Sequence, residues 1–287
     1  KLTESDHQFL DKAILLATIP MGSVSPNPYV GAVIVKDGKI IGEGFHAKAG
    51  TAHAEVVAIQ NAKNNNESTI GATIYVSLEP CCHHGKTGPC TEAILNAGIT
   101  KVVYATQDPN PSVAGKGEQF LIENSIETIC ADLESARQIN KVFFHNQISK
   151  TPFVTLKAAM SLDGKIASKS GDSQWITGSD ARLKGHQLRA EHDAIIIGKK
   201  TLLNDDPSLT VRILNQNHPN PIRVLLLRNF SGIEYTNYQL FDTKIAPTWI
   251  IYPKNQIIDT ALKTELLAKN VRLIELNEDE ISVNTTL

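Results

Sequence analysis

The residues with the clearest chemical potential are a histidine, a glutamate and a group of cysteines. His53 and Glu55 stand two positions apart, and Cys81, Cys82 and Cys90 follow in a later segment. These are three of the four cysteines in a chain of 287 residues, too few for a disulfide scaffold. Thiolate and imidazole are preferred zinc ligands, so the cluster predicts a metal or catalytic site.

Three protein ligands would make such a site catalytic. An imidazole from His53 and thiolates from Cys81 and Cys90 would leave the fourth tetrahedral position of zinc to water. Because two thiolates already neutralise the ion, its water needs a nearby base, and Glu55 is placed for that role. The order H-x-E, P-C, C is typical of zinc-dependent deaminases of nucleobase-like rings.

A closed structural site is the alternative, with Cys82 or His83 as its fourth ligand. Such a site has no use for a glutamate two residues after its histidine, so Glu55 favours the catalytic interpretation. We expect Cys82 to point away from the metal. We also expect Cys130, in a strand-like segment, to be a small core residue.

Alternating helix and strand patterns position these residues. In the first half, we predict helices at 5–17, about 53–62, after Cys90 and about 132–146, with strands at 29–35, 39–45, 72–78 and 101–106. In the second half, we predict strands at 153–159, 194–198, 222–227, 248–252 and 271–276, with helices at 179–192 and 257–269. This alternation indicates α/β architecture. The length and a break near 147–151 indicate two domains.

Composition excludes several classes of protein. The net charge of −2 and the pI near 6.5 argue against a dedicated nucleic-acid binder. The uncharged run at 13–35 contains Pro20, Pro26 and Pro28, so it cannot remain one membrane-spanning helix. The first residues carry acidic side chains and no signal-peptide pattern. We therefore expect a cytoplasmic protein without a membrane partner.

Ordered motifs over nearly the whole chain resemble the bifunctional deaminase and reductase family of riboflavin biosynthesis. The motifs are Pro26–Gly31, Gly44–His46, His53–Glu55, Leu78–Cys90, Asp108–Pro111, Leu156–Lys165, Ser173–Thr177 and Asp205–Arg212. The resemblance implies a cytidine-deaminase-like three-layer α/β/α domain at 1–147. It also implies a dihydrofolate-reductase-like α/β domain at 150–287 that lacks its C-terminal part here. Polynucleotide deaminases usually have a shorter spacing than that between Cys81 and Cys90.

This resemblance also implies two reactions on phosphoribosylaminopyrimidines. The first domain would use Zn²⁺ to deaminate 2,5-diamino-6-(5-phosphoribosylamino)pyrimidin-4-one. The second would use NADPH to reduce the ribosyl side chain of 5-amino-6-(5-phosphoribosylamino)uracil to ribityl. The oligomeric state that is usual in the family further implies a homo-oligomer. Two alternatives stay open: a deaminase of free nucleotides or tRNA, and a zinc-stabilised binding module without catalysis.

Site residues carried over from the family fall into four groups. Zinc would bind His53, Cys81 and Cys90, with Glu55 moving the proton. The deaminase substrate pocket would be lined by Asn27, His46, His83, Lys86, Asp108 and Asn110. The cofactor would contact Ala159, Trp175, Thr201 and Asp205, and the reductase substrate Ser173, Arg189, Leu209 and Arg212, with Lys157 as a possible further contact.

The sequence departs from the family pattern at several positions. Cys82 and Gly88 replace residues that are often serine and proline, and neither change removes a ligand. Leu227 and Arg228 replace an expected aspartate-containing strand end. No G-x-G-x-x-G motif follows a strand, so the NADPH prediction depends on the resemblance. The family's Gly-Pro-Thr-like cofactor loop does not occur before Leu287, so we expect a competent deaminase and an impaired reductase in this polypeptide.

Overall fold

The computed structural model describes residues 2–83, 88–213, 218–232 and 237–277. The chain divides into two compact units, Lys1–Phe153 and Val154–Leu287. Both combine helices with a sheet, which confirms the predicted α/β class. Within these ranges, no helix is both long enough and apolar enough to cross a membrane.

The first unit is built on a five-stranded sheet. Its strands are β1 Gly31–Lys36, β2 Lys39–Phe45, β3 Thr73–Val76, β4 Lys101–Tyr104 and β5 Glu127–Cys130. Its helices are α1 Glu4–Ala17, α2 Ala54–Asn64, α3 Cys90–Asn96, α4 Lys116–Glu123, α5 Glu134–Ile139 and α6 Lys141–Ser149. The strand order is β2-β1-β3-β4-β5, with β1 antiparallel to both neighbours and β3, β4 and β5 parallel.

Strand alternation divides the core of this unit into two apolar layers. Ile74 and Val76 of β3 face a cluster that includes residues of α2, α3 and α4. Tyr75, between them, faces a second cluster that includes residues of α1 and α5. Because successive side chains of a strand point to opposite faces, the sheet is covered by helices on both sides.

Helix α1 is fixed at its start by a capping box. The Asp6 amide donates to the Thr3 hydroxyl over 3.2 Å, and the Thr3 amide donates to the Asp6 carboxylate over 2.8 Å. The same carboxylate accepts the Tyr75 hydroxyl of β3 over 2.6 Å. Asp6 therefore caps α1 and also attaches it to the centre of the sheet.

The second unit contains a four-stranded parallel sheet. Its strands are β6 Ala194–Gly198, β7 Ile222–Leu226, β8 Thr248–Pro253 and β9 Arg272–Leu276, paired in chain order. Its helices are α7 Ser179–Ala190, α8 Lys199–Asp205 and α9 Thr260–Ala268, with a 3₁₀ helix at Gln239–Phe241. Leu225 and Ile250 lie at the centre of its core and are fully buried.

A buried arginine organises the loops of this unit. Arg223 of β7 is fully buried, and its guanidinium donates to the carbonyls of Ser208, Gln239, Asp242 and Ala246 and to the Thr248 hydroxyl. Ser208 lies in the loop after α8, and the other acceptors lie between the 3₁₀ helix and the start of β8. Since a buried charge needs such partners, the position of each loop is tied to β7.

The predicted strand at 153–159 is wrong for this structure. These residues form no strand, and no strand in the described part of the chain pairs with them. Leu156 is 94% exposed and Met160 is 52% exposed. An apolar pattern predicts which face a strand would bury, but the ladder requires a neighbouring strand with which to form hydrogen bonds.

Two further expectations for the first unit need correction. The single helix predicted at 132–146 is two helices, α5 and α6, which meet at Asn140. The Asn140 side chain accepts from the Tyr29 amide and donates to its carbonyl, both over 2.8 Å, so this residue serves a tertiary contact. Cys130 is exposed, because it ends β5 at the edge of the sheet. The sequence analysis also missed helices α4 and α8.

Candidate metal centre and active site

The three predicted metal ligands reach one point from three parts of the first unit. His53 is the N-cap residue of α2, and Cys90 is the first residue of α3. Cys81 lies in the segment after β3 and is held against α3, because the Thr91 amide donates to the Cys81 carbonyl over 3.2 Å. As the predicted strands and helices indicated, His53 lies between β2 and α2, and the two cysteines lie between β3 and the first residue of α3.

Distances within the cluster fit a zinc ion. His53 Nδ1 lies 3.2 Å from Cys90 Sγ and 3.5 Å from Cys81 Sγ, and the three ligand atoms all lie within 4.8 Å of one another. Ordinary Zn–N and Zn–S bonds at a tetrahedral angle separate nitrogen from sulfur by about 3.6 Å. The donor set of one imidazole and two thiolates therefore suits zinc in both chemistry and spacing.

No fourth protein ligand joins this cluster among the described residues. Of the histidine, cysteine and acidic side chains there, only those of His53, Cys81 and Cys90 come together in a group that could hold a metal ion. Cys82 and His83 are described and lie outside the group. His84 falls outside the described residues. The geometry thus favours a three-ligand site over the closed structural alternative.

Thiolate character is unequal between the two cysteines. Cys81 accepts a hydrogen bond from Cys90 and lies beside His53, and both contacts lower the pKa of Cys81. Cys90 is the donor of that bond and is buried, so its own pKa is raised. Cys81 is therefore the more readily ionised ligand.

Glu55 lies next to the ligands, in the first turn of α2. The residue is only 3% exposed, and its Oε2 atom has no hydrogen-bond partner among the described residues. Burial raises the pKa of Glu55 to about 7, and the nearby charge of Cys81 adds to the effect. A buried carboxyl that titrates near neutrality can both accept and return a proton.

The imidazole of His46 is held beside the metal ligands in a defined tautomer. His46 Nδ1 lies 3.1 Å from the Ala52 carbonyl, and its Nε2 lies 3.0 Å from the Asn27 Nδ2 atom. Since a carbonyl only accepts, Nδ1 carries the proton and Nε2 accepts from Asn27. Burial lowers the pKa of His46, which favours this neutral form. Its ring meets that of His53 edge to face at 5.3 Å between centroids.

A loop after β4 brings Asp108 and Asn110 towards the same end of the sheet. Asp108 is 8% exposed, and its carboxylate accepts the Asn110 amide over 2.8 Å. Burial raises the pKa of Asp108 to about 6. The Asn110 side chain accepts from the amide and hydroxyl of Ser112. Of the other predicted pocket residues, His83 is exposed and Lys86 lies outside the described residues.

One residue of this region was given no role by the sequence analysis. Glu79 lies between Leu78 and Pro80 at the end of β3 and is 3% exposed. Its carboxylate accepts several backbone amides from the loop that carries Asp108. The available signal was a charged residue directly after an apolar strand and two positions before a metal ligand.

In the second unit, the predicted substrate arginines lie together. Arg189 donates to the Thr210 carbonyl over 2.7 Å, and Arg212 donates to the hydroxyls of Ser208 and Thr210. His186, which the sequence analysis did not select, lies within 3.3 Å of Arg189 Nη1 and accepts the Arg212 amide. The signal for His186 was its spacing of three residues from Arg189 on α7.

This cationic cluster suits a phosphate group. The Nε atom of Arg189 is buried and has no hydrogen-bond partner among the described residues. Burial and the adjacent Arg212 charge lower the pKa of Arg189. Neither guanidinium forms a salt bridge with a carboxylate of the described residues. A phosphate oxygen would satisfy both the unpartnered N–H and the charge.

The remaining predicted reductase residues are less closely grouped. The exposed ring of Trp175 lies 4.5 Å from the guanidinium carbon of Arg182, and Thr201 and Asp205 are exposed on α8. Leu209 has its side chain in the core, so only its backbone could meet a substrate. Within the described ranges, no hydrogen bond or ring contact joins Ala159 or Ser173 to the arginine cluster. Lys157 lies along α7, since a Cβ on Gly185 would stand 3.9 Å from Lys157 Cε.

Comparisons with known proteins find a matching protein family for each of the two parts of the chain. Residues 3–106 match the cytidine and deoxycytidylate deaminase zinc-binding region, and residues 152–281 match the RibD C-terminal domain. Fold and site together therefore define a zinc-type deaminase unit followed by a reductase unit.

Individual relatives extend the likeness over most of the chain. The chain is 43% identical over 256 residues to the riboflavin biosynthesis protein RibD of Aquifex aeolicus, and the match covers 88% of this chain and 70% of that protein. Acinetobacter baumannii RibD superposes with a TM-score of 0.83 at 40% identity, covering 99% of this chain and 76% of that one.

A second solved structure is that of a diaminohydroxyphosphoribosylaminopyrimidine deaminase/5-amino-6-(5-phosphoribosylamino)uracil reductase from Thermotoga maritima. Its TM-score is 0.81 at 38% identity, covering 95% of this chain and 81% of that one. The chain belongs to the RibD family. It is a bifunctional deaminase and reductase of riboflavin biosynthesis.

Proposed function

We propose that the first unit hydrolytically deaminates 2,5-diamino-6-(5-phosphoribosylamino)pyrimidin-4-one. The second unit then reduces the ribosyl side chain of 5-amino-6-(5-phosphoribosylamino)uracil to ribityl with NADPH. One observation carries the proposal: a cluster of His53, Cys81 and Cys90 beside the buried Glu55, whose Oε2 atom has no hydrogen-bond partner among the described residues. The RibD C-terminal domain in the same chain supplies the second reaction.

His53, Cys81 and Cys90 would hold the zinc ion. Zinc, when bound, supplies Lewis-acid activation of water. Glu55 takes a proton and returns it to the departing amino nitrogen, because it is buried in the first turn of α2 and its Oε2 atom has no partner among the described residues. Burial of Glu55 and Cys90 keeps bulk water from competing for these protons.

Asn27 and His46 orient the pyrimidine ring beside the cluster. Their mutual hydrogen bond fixes the direction of the Asn27 amide, which leaves its carbonyl oxygen as an acceptor for a ring amino group. Asp108 and Asn110, on the loop after β4, read the ribose hydroxyls and ring edge. His83 and Lys86 meet the phosphate as charge-assisted donors.

In the second unit, Arg189 and Arg212 bind the substrate phosphate, with Ser173 and the Leu209 backbone as further contacts. Ala159, Trp175, Thr201 and Asp205 would hold the nicotinamide cofactor, and Lys157 is a further contact with substrate or cofactor. NADPH, when bound, supplies the hydride. The positively charged cluster and the unpartnered Arg189 Nε support the phosphate assignment.

An ultraviolet assay of deamination tests the first reaction. The zinc-loaded protein is given the diaminopyrimidinone ribotide, cytidine and a tRNA anticodon stem-loop in parallel. We expect turnover of the ribotide alone. Turnover restricted to cytidine or the tRNA would contradict the substrate assignment.

A spectrophotometric assay of NADPH consumption tests the second reaction. Whatever oxidation of NADPH this polypeptide supports should depend on the aminouracil ribotide and should be lost in Arg189→Met. The matched control is Arg137→Met, which removes an exposed arginine paired with Asp132 and Glu134 in the other unit. Equal losses in the two variants would contradict the phosphate role of Arg189.

A further inference from the structure

Glu79 is a buried carboxylate that collects four backbone amides. Its Oε2 atom accepts from Asp108 N over 3.3 Å and from Gly115 N over 3.0 Å. Its Oε1 atom accepts from Gly117 N over 3.1 Å and from Glu118 N over 3.3 Å. All four donors belong to one segment, the loop and first helical turn that follow β4.

The carboxylate replaces a cap that α4 lacks. The N-cap residue of α4 is Gly115, which has no side chain to accept the free amides of the first turn. Glu79, which lies just after β3, accepts two of those amides in place of an N-cap side chain. Because the first amides of a helix carry partial positive charge, an anion is favoured there. The contact between Glu79 and the start of α4 is therefore stabilised by charge as well as by the geometry of its hydrogen bonds.

Close packing supports the same arrangement. A Cβ on Gly117 would lie 2.1 Å from the Pro80 carbonyl oxygen and 3.1 Å from Glu79 Oε1. Such distances leave no room for a side chain, so α4 begins in backbone contact with the turn that precedes Cys81. The Glu79 amide also donates to the Thr106 carbonyl over 3.0 Å. Glu79 therefore joins the segments that follow β3 and β4 by two contacts, one through its carboxylate and one through its backbone amide.

We propose that Glu79 is a positioning residue of the deaminase site, which sets the place of the Asp108–Asn110 segment relative to the metal ligand Cys81. Glu79 does not touch the substrate. It acts through Asp108, whose backbone amide it holds and whose side chain fixes the Asn110 amide. The inference rests on the proposed function, in which Asp108 and Asn110 contact the substrate.

The decisive variant is Glu79→Gln, which keeps the shape and replaces one acceptor oxygen with a donor. At least one pair of amides then loses its acceptor. A hydrogen bond to a charged group corresponds to roughly a 10-fold to 100-fold change in an equilibrium constant. We expect KM for the diaminopyrimidinone ribotide to rise by about that factor, with kcat changed less and zinc content unchanged. Glu79→Asp keeps the charge and restores part of the affinity.

Asp6→Asn is the matched control. Asp6 is also a buried carboxylate that caps a helix of the same unit, but it joins α1 to Tyr75, away from the metal ligands. We expect Asp6→Asn to lower the melting temperature and leave KM unchanged. If both variants raise KM equally, or if Glu79→Gln leaves KM unaltered, the proposal is overturned.

Hydrogen exchange separates this inference from the proposed function. In Glu79→Gln, the amides of Asp108, Gly115 and Gly117 should exchange at least tenfold faster, whereas Asp6→Asn should leave them protected. Unchanged exchange would overturn the positioning role whatever the activity. If the parent protein fails to turn over the ribotide, the proposed function fails while the exchange result still decides the attachment. Should Glu79→Gln not fold, Glu79→Asp and Gly117→Ala are measured in the same way, and normal KM in both overturns the proposal.

Discussion

At the scale of single residues, the deaminase site leaves a buried carboxylate oxygen without a partner in the described part of the chain. Glu55 Oε2 is buried and unpartnered among the described residues, beside the three atoms that could bind a metal. Leaving a buried acceptor unsatisfied costs about 1–3 kcal/mol of folding free energy. Such exceptions call for an explanation, and proton transfer at this point provides one.

Replacing Glu55 tests that explanation. Glu55→Gln retains the size of the side chain but cannot accept and return a proton, so we expect kcat to fall by about 10² to 10⁴ or more. Zinc content, measured by atomic absorption, should remain stoichiometric. Glu67→Gln, on an exposed glutamate beyond the end of α2, is the control and should turn over normally. Near-normal kcat in fully metallated Glu55→Gln would exclude the role.

At the scale of elements, the position of the site depends on how closely α2 lies on β2. A Cβ on Gly44 would stand 2.4 Å from the Ala54 carbonyl oxygen and 2.5 Å from Ala58 N. Only a glycine permits this backbone contact. Because His53 is the N-cap of α2 and Glu55 lies in its first turn, the contact also sets the height of both residues above the sheet.

Gly44→Ala should therefore disturb both stability and metal binding. The added methyl group forces α2 outward, and overpacking of this kind costs about 1–3 kcal/mol. We expect a lower melting temperature and weaker zinc binding in competition with a chromophoric chelator. Gly88→Ala, two residues before Cys90 and with nothing within 4 Å of the added Cβ, should change neither. Equal zinc affinity in the two variants would refute the argument.

The attachment of α1 to the sheet should depend on pH. Burial acts to raise the pKa of Asp6, but hydrogen bonds from Tyr75 and Thr3 outweigh it and hold the pKa below the usual 3.8. The folded protein thus binds this proton less readily than the unfolded chain. The stabilisation is complete above about pH 4 and is lost as the pH falls through the folded value.

Urea denaturation of Asp6→Asn measures this contribution. At pH 7 we expect a loss of about 2 kcal/mol in the free energy of unfolding, as for a hydrogen-bonded buried carboxylate. The difference from the parent protein should shrink as the pH falls below 4. A difference that stays constant to pH 2.5 would show that the charge of Asp6 is not involved.

At the scale of the whole molecule, the two units have separate cores. Two apolar clusters cover the faces of the first sheet, and a third belongs to the second unit. All three predicted metal ligands lie in the first unit, and both tryptophans, Trp175 and Trp249, lie in the second. Tryptophan fluorescence therefore reports on the unit that holds no zinc ligand.

Chelation should act on one unit only. A ligand that binds the folded state stabilises it by mass action, so removal of zinc with dipicolinate should lower the melting temperature of the first unit. We expect far-ultraviolet circular dichroism to show that shift, with the tryptophan transition unchanged. Cys81→Ser should abolish the response and Cys82→Ser should preserve it. Loss of the response in Cys82→Ser would favour the closed structural site.

Much of the fold could be predicted because its signals are local. The periodicity of α1 and the exact bounds of β6 follow from neighbouring residues, and the glycine-containing turn after β1 does so as well. The single helix predicted at 132–146 was wrong at Asn140. There the side chain forms two hydrogen bonds with the backbone of the distant residue Tyr29. The strand expected at 153–159 was wrong because pairing depends on a neighbour that a periodic pattern does not specify.

The sequence alone predicted His53, Cys81 and Cys90 as zinc ligands and Glu55 as the proton carrier, because the chemistry of a site requires particular side chains in a particular order. The family resemblance follows from the same residues. Only the tertiary structure decided that Glu79 gathers the amides around Asp108, that His186 lies between Arg189 and Arg212, and that Glu55 Oε2 lacks a partner. Those facts depend on the path of the chain between distant segments, since a hydrogen bond exists only where folding brings donor and acceptor within about 3 Å.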